Sequence, residues 1–346
     1  MKDVDGGTTP LRLGIIGCGL KASSYARSWM AASEAPVIVA ITDTSTASIQ
    51  RYSDIVTEAG APAPHIYASA AEMLAAEAGE LDAVYISTPH VHHQAYALAA
   101  LKAGLHVLLE KPMALSAPEA REIIAARDAA GTQIVVAYQS SLSPLIAWFR
   151  TRAQSGEFGA LLSVTGEVWE HWQRRYAGNW KQVVALSGGG FICDTGSHLF
   201  NAVMQATGRG YTRVSGQLNS LGQPYELVGG VLARIDGDVP VTLTFCGDTT
   251  EGCQSALSLF FERAILRLDI WGKWAELRIG ADVTRVEGGE PNDAMLDLFT
   301  AVARGAANPS TAEQSLHLAE LWDLIKQSSE SGAQPQALTT RPWDRA

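Results

Sequence analysis

Leu11-Arg12-Leu13-Gly14-Ile15-Ile16-Gly17-Cys18-Gly19-Leu20-Lys21-Ala22 carries a short apolar strand straight into a glycine turn, and the residues from Tyr25 to Ala32 beyond it suit a helix. Each small residue has a separate task. Gly17 makes the tight turn, Gly19 lets the backbone approach a pyrophosphate, and Ala22 lets helix and strand pack closely. Phosphate oxygens then rest on the helix amino terminus, where unpaired N–H groups and the dipole favour negative charge. Gly17, Gly19, Leu20 and Lys21 are therefore candidate cofactor contacts. Val37 to Thr42 reads as a second strand and ends in Asp43, about 20 residues beyond the motif, where a carboxylate accepts ribose hydroxyls and repels a 2′-phosphate. That position favours NAD and makes NADP the lesser candidate. The competing role for Asp43 is a cap on a helix from Ser45 to Ala59.

Strand and helix go on alternating from there. Ser69 to Glu77, Val91 to Ala103 and Pro118 to Ala130 read as helices, and Ala83 to Ser87, Leu105 to Leu109 and Gln133 to Ala137 as strands. Such alternation predicts a parallel, doubly wound sheet. In an open sheet of this kind, ligands bind at the carboxyl ends of the strands. Two segments emerge there: Ser87-Thr88-Pro89-His90-Val91-His92-His93 and Glu110-Lys111-Pro112. Taken alone, Glu110 and Lys111 suit a surface ion pair closing a turn better than a site. His90, His92 and His93 lie close enough to suggest a metal, but no nearby Cys or carboxylate completes a ligand set, so no metal is expected.

At 346 residues the chain exceeds the roughly 250 to 300 residues over which one hydrophobic core usually grows, which predicts two domains. Apolar residues make up 47% and charged residues 18%, enough to build both cores. A net charge of −10, without clusters of Lys and Arg, argues against nucleic acid or an anionic membrane as partner. Cys18, Cys193, Cys246 and Cys253 show neither zinc-type nor disulfide-framework spacing, which suits a reducing compartment. Met1 to Pro10 has no apolar segment of signal-peptide length, and no run approaches a membrane span. The expected location is the cytoplasm.

Past Ala137 the pattern changes. Leu145 to Gln154 suits a helix, while Leu161 to Trp169, Val228 to Ile235, Val239 to Phe245, Ala256 to Glu262 and Ile265 to Trp271 read as strands with little helix between them, predicting a largely antiparallel sheet. Ala294 to Arg304 and Ala312 to Ser328 read as amphipathic, structural helices. Ser187-Gly188-Gly189-Gly190-Phe191-Ile192-Cys193-Asp194-Thr195-Gly196-Ser197-His198 lies among these strands. Asp194 and His198, four apart, share a face if the segment is helical, and the glycines permit a close backbone approach to a ligand. A capped helix with a buried, satisfied histidine is the plainer alternative. Trp169, Trp172, Tyr176 and Trp180 precede the glycines. Aromatic faces stack on sugar rings, and they also simply fill cores.

The order Gly17-x-Gly19-x-x-Ala22, then Thr88-Pro89 with His93, then Ala103-Gly104-x-His106-Val107-x-x-Glu110-Lys111-Pro112, resembles the Gfo/Idh/MocA family of oxidoreductases. His90 stands where the family usually has Asn, and Tyr138-Gln139-Ser140-Ser141 where it usually has an Asn or Arg pair. The resemblance implies a Rossmann-type dinucleotide domain over residues 1–138 and, over 139–346, an α+β domain for substrate and oligomerisation with a large open-faced, mainly antiparallel sheet. Thr88, Pro89, His90, His93, Glu110 and Lys111 join the cofactor contacts. It further implies that Lys111, Asp194 and His198 are catalytic, that Trp180 lines the substrate pocket with them, and that the protein is a homodimer or homotetramer; Trp169 and Tyr176 join the pocket candidates on their aromatic faces alone. The implied reaction is NAD-dependent oxidation of a secondary hydroxyl of a sugar, sugar derivative or inositol. His198, whose unperturbed pKa is about 6.5, would take the proton while Lys111 binds the same oxygen, or the two exchange roles. Relatives that cleave glycosides with transient use of NAD, and a non-catalytic dinucleotide-sensing regulator, are the other functions the family admits.

Overall fold

The computed structural model describes residues 9–32, 34–288 and 295–343. Met1 to Thr8 and the expected helix start at Ala294 lie outside them. By packing, the described chain divides into two compact units: 9–114, 118–137 and 295–312 form the first, and 115–117, 138–288 and 313–343 the second. The sequence reading kept 139–346 together, whereas packing returns residues 295–312 to the first unit.

The first unit is built on β1 (Arg12–Ile16), β2 (Val37–Thr42), β3 (His65–Ile66), β4 (Ala83–Ile86), β5 (His106–Leu109) and β6 (Ile134–Val136). All neighbours are parallel, in the order β3-β2-β1-β4-β5-β6. Leu13, Ile15, Val84, Tyr85, Val107 and Leu108 are fully buried, the mark of strands covered on both faces by crossover helices. Strand order reverses between β1 and β4. The carboxyl ends of β2, β1, β4 and β5 thus lie side by side at the switch point of the sheet.

The second unit carries β7 (Leu161–Glu170), β8 (Tyr211–Asn219), β9 (Val228–Ile235), β10 (Val239–Cys246), β11 (Cys253–Phe261), β12 (Ile265–Leu268), β13 (Trp274–Ile279), β14 (Asp282–Glu287) and β15 (Gln336–Ala337). They form one sheet ordered β14-β13-β12-β11-β7-β10-β9-β8-β15, antiparallel throughout except where β10 meets β7. Side chains alternate across it: Val239, Val241, Leu243 and Phe245 of β10 are buried, while Pro240, Thr242 and Thr244 are exposed. Helix Gly196–Thr207 lies on the buried face, where a Cβ at Gly166 of β7 would come within 2.9 Å of Leu199. Burying one such Leu or Phe contributes about 1.5–3 kcal/mol. Thr165 and Glu167 of β7 and Leu232 of β9 stand on the open face. Among the described residues, no helix is long and apolar enough to cross a membrane.

Candidate active site

In the first unit the site is assembled from strand ends. Gly17 adopts φ +93°, and a Cβ there would lie 2.4 Å from the Ser87 carbonyl oxygen, so only glycine allows β1 and β4 to approach at this turn. Gly19 is the reverse case. Nothing lies within 4 Å of its Cβ position, and helix Leu20–Ala31, which begins at the next residue, has no acidic side chain in its first turn. Open space before an uncompensated helix amino terminus fits a phosphate. Asp43 Oδ2 accepts from the Cys18 amide and Oδ1 from the Ser45 amide, each at 2.7 Å. Ser45, whose Oγ accepts from the Ser48 amide, is the helix cap, so Asp43 does not take the competing role. Arg51, which the sequence did not single out, donates to the Cys18 carbonyl at 3.2 Å and to Ser23 Oγ at 3.1 Å, tying the next helix to the turn. Burial, with Asp43 adding to it, pushes the Cys18 thiol up to about 12, so it stays protonated and inert. Leu20 is 79% exposed, and Lys21 Nζ lies 4.5 Å from the Tyr25 ring centroid.

The ends of β4 and β5 are tied together. Tyr85 of β4 donates to Glu110 Oε1 at 2.9 Å, both groups being buried; burial and the facing carboxylate raise the Tyr85 phenol well above its ordinary value. Glu110 thus faces the neighbouring strand through Tyr85 and does not close a surface turn. Half-buried Lys111 follows it. His90 is 4% exposed and packs against the His93 ring at 5.5 Å. His93 is fully buried, with Nδ1 2.7 Å from the Pro112 carbonyl and Nε2 3.0 Å from the Thr88 carbonyl.

In the second unit Asp194 is 2% exposed. Its Oδ2 accepts from Trp172 Nε1 at 2.9 Å and pairs with Lys181 Nζ at 2.7 Å, and that ammonium sits 4.3 Å from the Tyr176 ring centroid. A carboxylate held by a charge-assisted donor and an indole N–H is fixed in one orientation. The segment is not one continuous helix: Phe191–Asp194 and Gly196–Thr207 are separate helices joined at Thr195. Thr195 Oγ1 donates to Glu170 Oε2 at 2.8 Å, while Arg175 pairs with Oε1 of the same carboxylate. The glycines before this segment approach protein and not an open space. A Cβ at Gly190 would stand 2.2 Å from the Glu226 carbonyl oxygen, and Glu226 Oε1 accepts the amides of Gly190 and Cys193 at 2.7 and 3.0 Å. His198 is 7% exposed, edge-on to Tyr138 at 5.8 Å and 6.1 Å from the Trp271 ring.

Asp194, Tyr176, Trp172 and Lys181 therefore form one cluster, while Trp180 begins a short 3-10 turn that leads into Lys181. Trp169 does not join them. It stands on the open face of β7 with Thr165 and Glu167, because Val168 and Glu170 take the buried face. Lys181 and Trp271 were missed. Lys181 had no periodic signal, and Trp271 was read as strand, although Asp269 Oδ2 accepts from the amides of Trp271 and Lys273 and turns the chain there.

A family model described as an oxidoreductase family with an NAD-binding Rossmann fold matches residues 11–138. The GFO/IDH/MocA C-terminal domain model matches residues 146–267. A 1-carboxy-3-chloro-3,4-dihydroxycyclohexa-1,5-diene dehydrogenase of Comamonas testosteroni is 25% identical over 240 residues, 68% of this chain and 58% of that relative's length. A D-xylose 1-dehydrogenase (NADP(+)) of Haloferax volcanii is 29% identical over 298 residues, 82% of this chain and 87% of the relative. Among solved structures, an inositol dehydrogenase homolog from Azotobacter vinelandii, complexed with NADH and myo-inositol, matches with a TM-score of 0.83 over 95% of this chain and 98% of that one. Identity to it is 18%, so that likeness is one of fold.

Proposed function

The chain belongs to the Gfo/Idh/MocA family of oxidoreductases, and we propose that it is an NAD-dependent dehydrogenase that oxidises a secondary hydroxyl of a sugar, sugar derivative or inositol. The observation that carries this reading is the gathering of Asp43, the Gly17–Gly19 turn, Thr88 and Lys111 at the carboxyl ends of four adjacent parallel strands. Gly19 leaves room for the pyrophosphate before a helix that has no acidic side chain in its first turn. Asp43 holds the ribose: its two oxygens have lone pairs left beyond the backbone amides they accept, and its charge disfavours a 2′-phosphate. NAD⁺, when bound, supplies the hydride acceptor.

The chain's own residues handle the proton. His198, in its aromatic surround, is the candidate base for the substrate hydroxyl, and Lys111 is the candidate donor to that oxygen; their roles are exchangeable. Asp194, fixed by Lys181 and Trp172, orients the substrate or the imidazole by its charge. Tyr176 and Trp180 supply apolar faces to a sugar ring. Its four cysteines are free thiols, which supports a reducing compartment such as the cytoplasm, and the open face of the nine-stranded sheet, with Leu232 61% exposed, supports a homodimer or homotetramer.

NADH formation should be followed with aldoses, sugar acids, inositols and glycosides for the parent and for Lys111→Ala and His198→Ala. Each variant should lose about 10² to 10⁴-fold in kcat. Near-parental turnover in both variants would remove the proposed mechanism, and glycoside cleavage without NADH accumulation would replace the net oxidation with a redox-neutral hydrolysis.

A further inference from the structure

The geometry points to His93 as a positioning residue that fixes the Lys111 loop from within, with no contact of its own to cofactor or substrate. This rests on the reading of Lys111 as a group that works on the substrate hydroxyl. His93 opens helix His93–Lys102 and is fully buried, so it offers a ligand no exposed edge. Its two nitrogens reach the two neighbouring strand-end loops: Nδ1 lies 2.7 Å from the carbonyl of Pro112, the residue after Lys111, and Nε2 lies 3.0 Å from the carbonyl of Thr88, just past β4.

A neutral imidazole has one N–H to give, and the shorter contact places it on Pro112. The other flank of Lys111 is held as well, since Tyr85 donates to Glu110 Oε1 at 2.9 Å and the Glu110 amide donates to the Ile86 carbonyl at 2.9 Å. Residues 110 and 112 are thus both anchored to β4 and its following helix, and the lysine between them inherits its place from those anchors. An aliphatic side chain would fill the same space without the desolvation cost that draws the imidazole down to about 4. What it would not supply is a donor for the Pro112 carbonyl.

The amide nitrogen of Asn reaches the Nδ1 position and keeps a donor to the Pro112 carbonyl, while that of Gln reaches only the Nε2 position, so His93→Asn, His93→Gln and His93→Leu separate the two contacts. Misplacing Lys111 should lower kcat about tenfold in His93→Gln and His93→Leu, with a fall at least about threefold smaller in His93→Asn, while the KM for NAD⁺ moves less than about twofold. A readout that needs no turnover is the rate at which an amine-directed reagent labels Lys111 in the cofactor-free protein, followed by peptide mass spectrometry. That rate should change in His93→Gln and His93→Leu and hold in His93→Asn. Equal losses in Asn and Gln, a loss confined to NAD⁺ affinity, or a lowered melting temperature with kcat and labelling unchanged would each overturn the proposal. Lys111→Ala run alongside keeps the two ideas apart: if it turns over normally the assignment of Lys111 fails, while the labelling comparison still judges the clamp.

Discussion

At Asp43 a contact that holds the fold coincides with the proposed choice of cofactor. The side chain joins the Gly17–Gly19 turn to the end of β2 through the Cys18 and Ser45 amides, and under the proposed function its charge disfavours a 2′-phosphate. Replacing Asp43 with Ser removes the charge and keeps a small acceptor. The ratio of kcat/KM for NADP⁺ to that for NAD⁺ should rise by about tenfold or more; an unchanged ratio would show that the carboxylate does not select the cofactor. Gly17, Gly19 and Asp43 were legible because their conformation and spacing follow from the motif. Lys181 was not, since a lone lysine in an irregular segment carries no periodicity, and only the fold brings its ammonium to Asp194. Trp169 stands apart from the Asp194 cluster, because the alternation of β7 sends it to the face opposite Glu170.

At the level of elements, the break at Thr195 lets Asp194 end one short helix while His198 sits in the first turn of the next. The Trp172 indole, the Lys181 ammonium and the Glu226 carboxylate hold this junction from three sides. Lys181→Met keeps the apolar stem and removes the charge, leaving Asp194 with one donor fewer on Oδ2. The expected cost is about 1–3 kcal/mol in urea unfolding, together with a lower kcat. Unaltered stability and turnover would mean that the pair is incidental. The parallel strands β1, β2, β4, β5 and β6 were readable as unbroken apolar runs, and β9 and β10 as alternating ones. β13 and β14 escaped because their outer residues are largely polar and exposed, as in Asp282–Glu287, and β3 and β15, at two residues each, are too short to leave a pattern. Packing, not local preference, makes them strands.

Over the whole molecule, each unit contains a deeply buried histidine: His93 in the first and His317 in the second. His317 Nε2 accepts from the Tyr211 amide and its Nδ1 meets Thr340 Oγ1 at 2.8 Å. Burial draws both imidazoles from 6.5 down to about 4. The unfolded chain therefore takes up protons that the folded one refuses, so their stabilisation is complete above pH 6.5 and is lost as pH falls towards about 4. Glu77, Glu157 and Glu320 are shifted below 4.5, and their contributions fade only below that value. Melting temperature should accordingly fall between pH 6.5 and 4.5, with a shallower slope in His317→Gln; a flat parental profile across that window would contradict it.

Two sheets were predictable at this scale, because unbroken apolar runs and alternating ones require different surroundings. The return of residues 295–312 to the first unit was not, since it depends on which surface an amphipathic helix finds.

The claim that the strand-end cluster supports net hydride removal from a carbinol carbon is tested most directly by isotope transfer. The protein and NAD⁺ should be incubated with aldoses and inositols deuterated at their carbinol carbons, and the nicotinamide product read by NMR. The account predicts NADH accumulating with deuterium at C4 for at least one substrate, and transfer slowed about 10² to 10⁴-fold in Lys111→Ala and His198→Ala. Tight binding of NAD⁺ with no deuterium reaching it from any substrate would contradict the account.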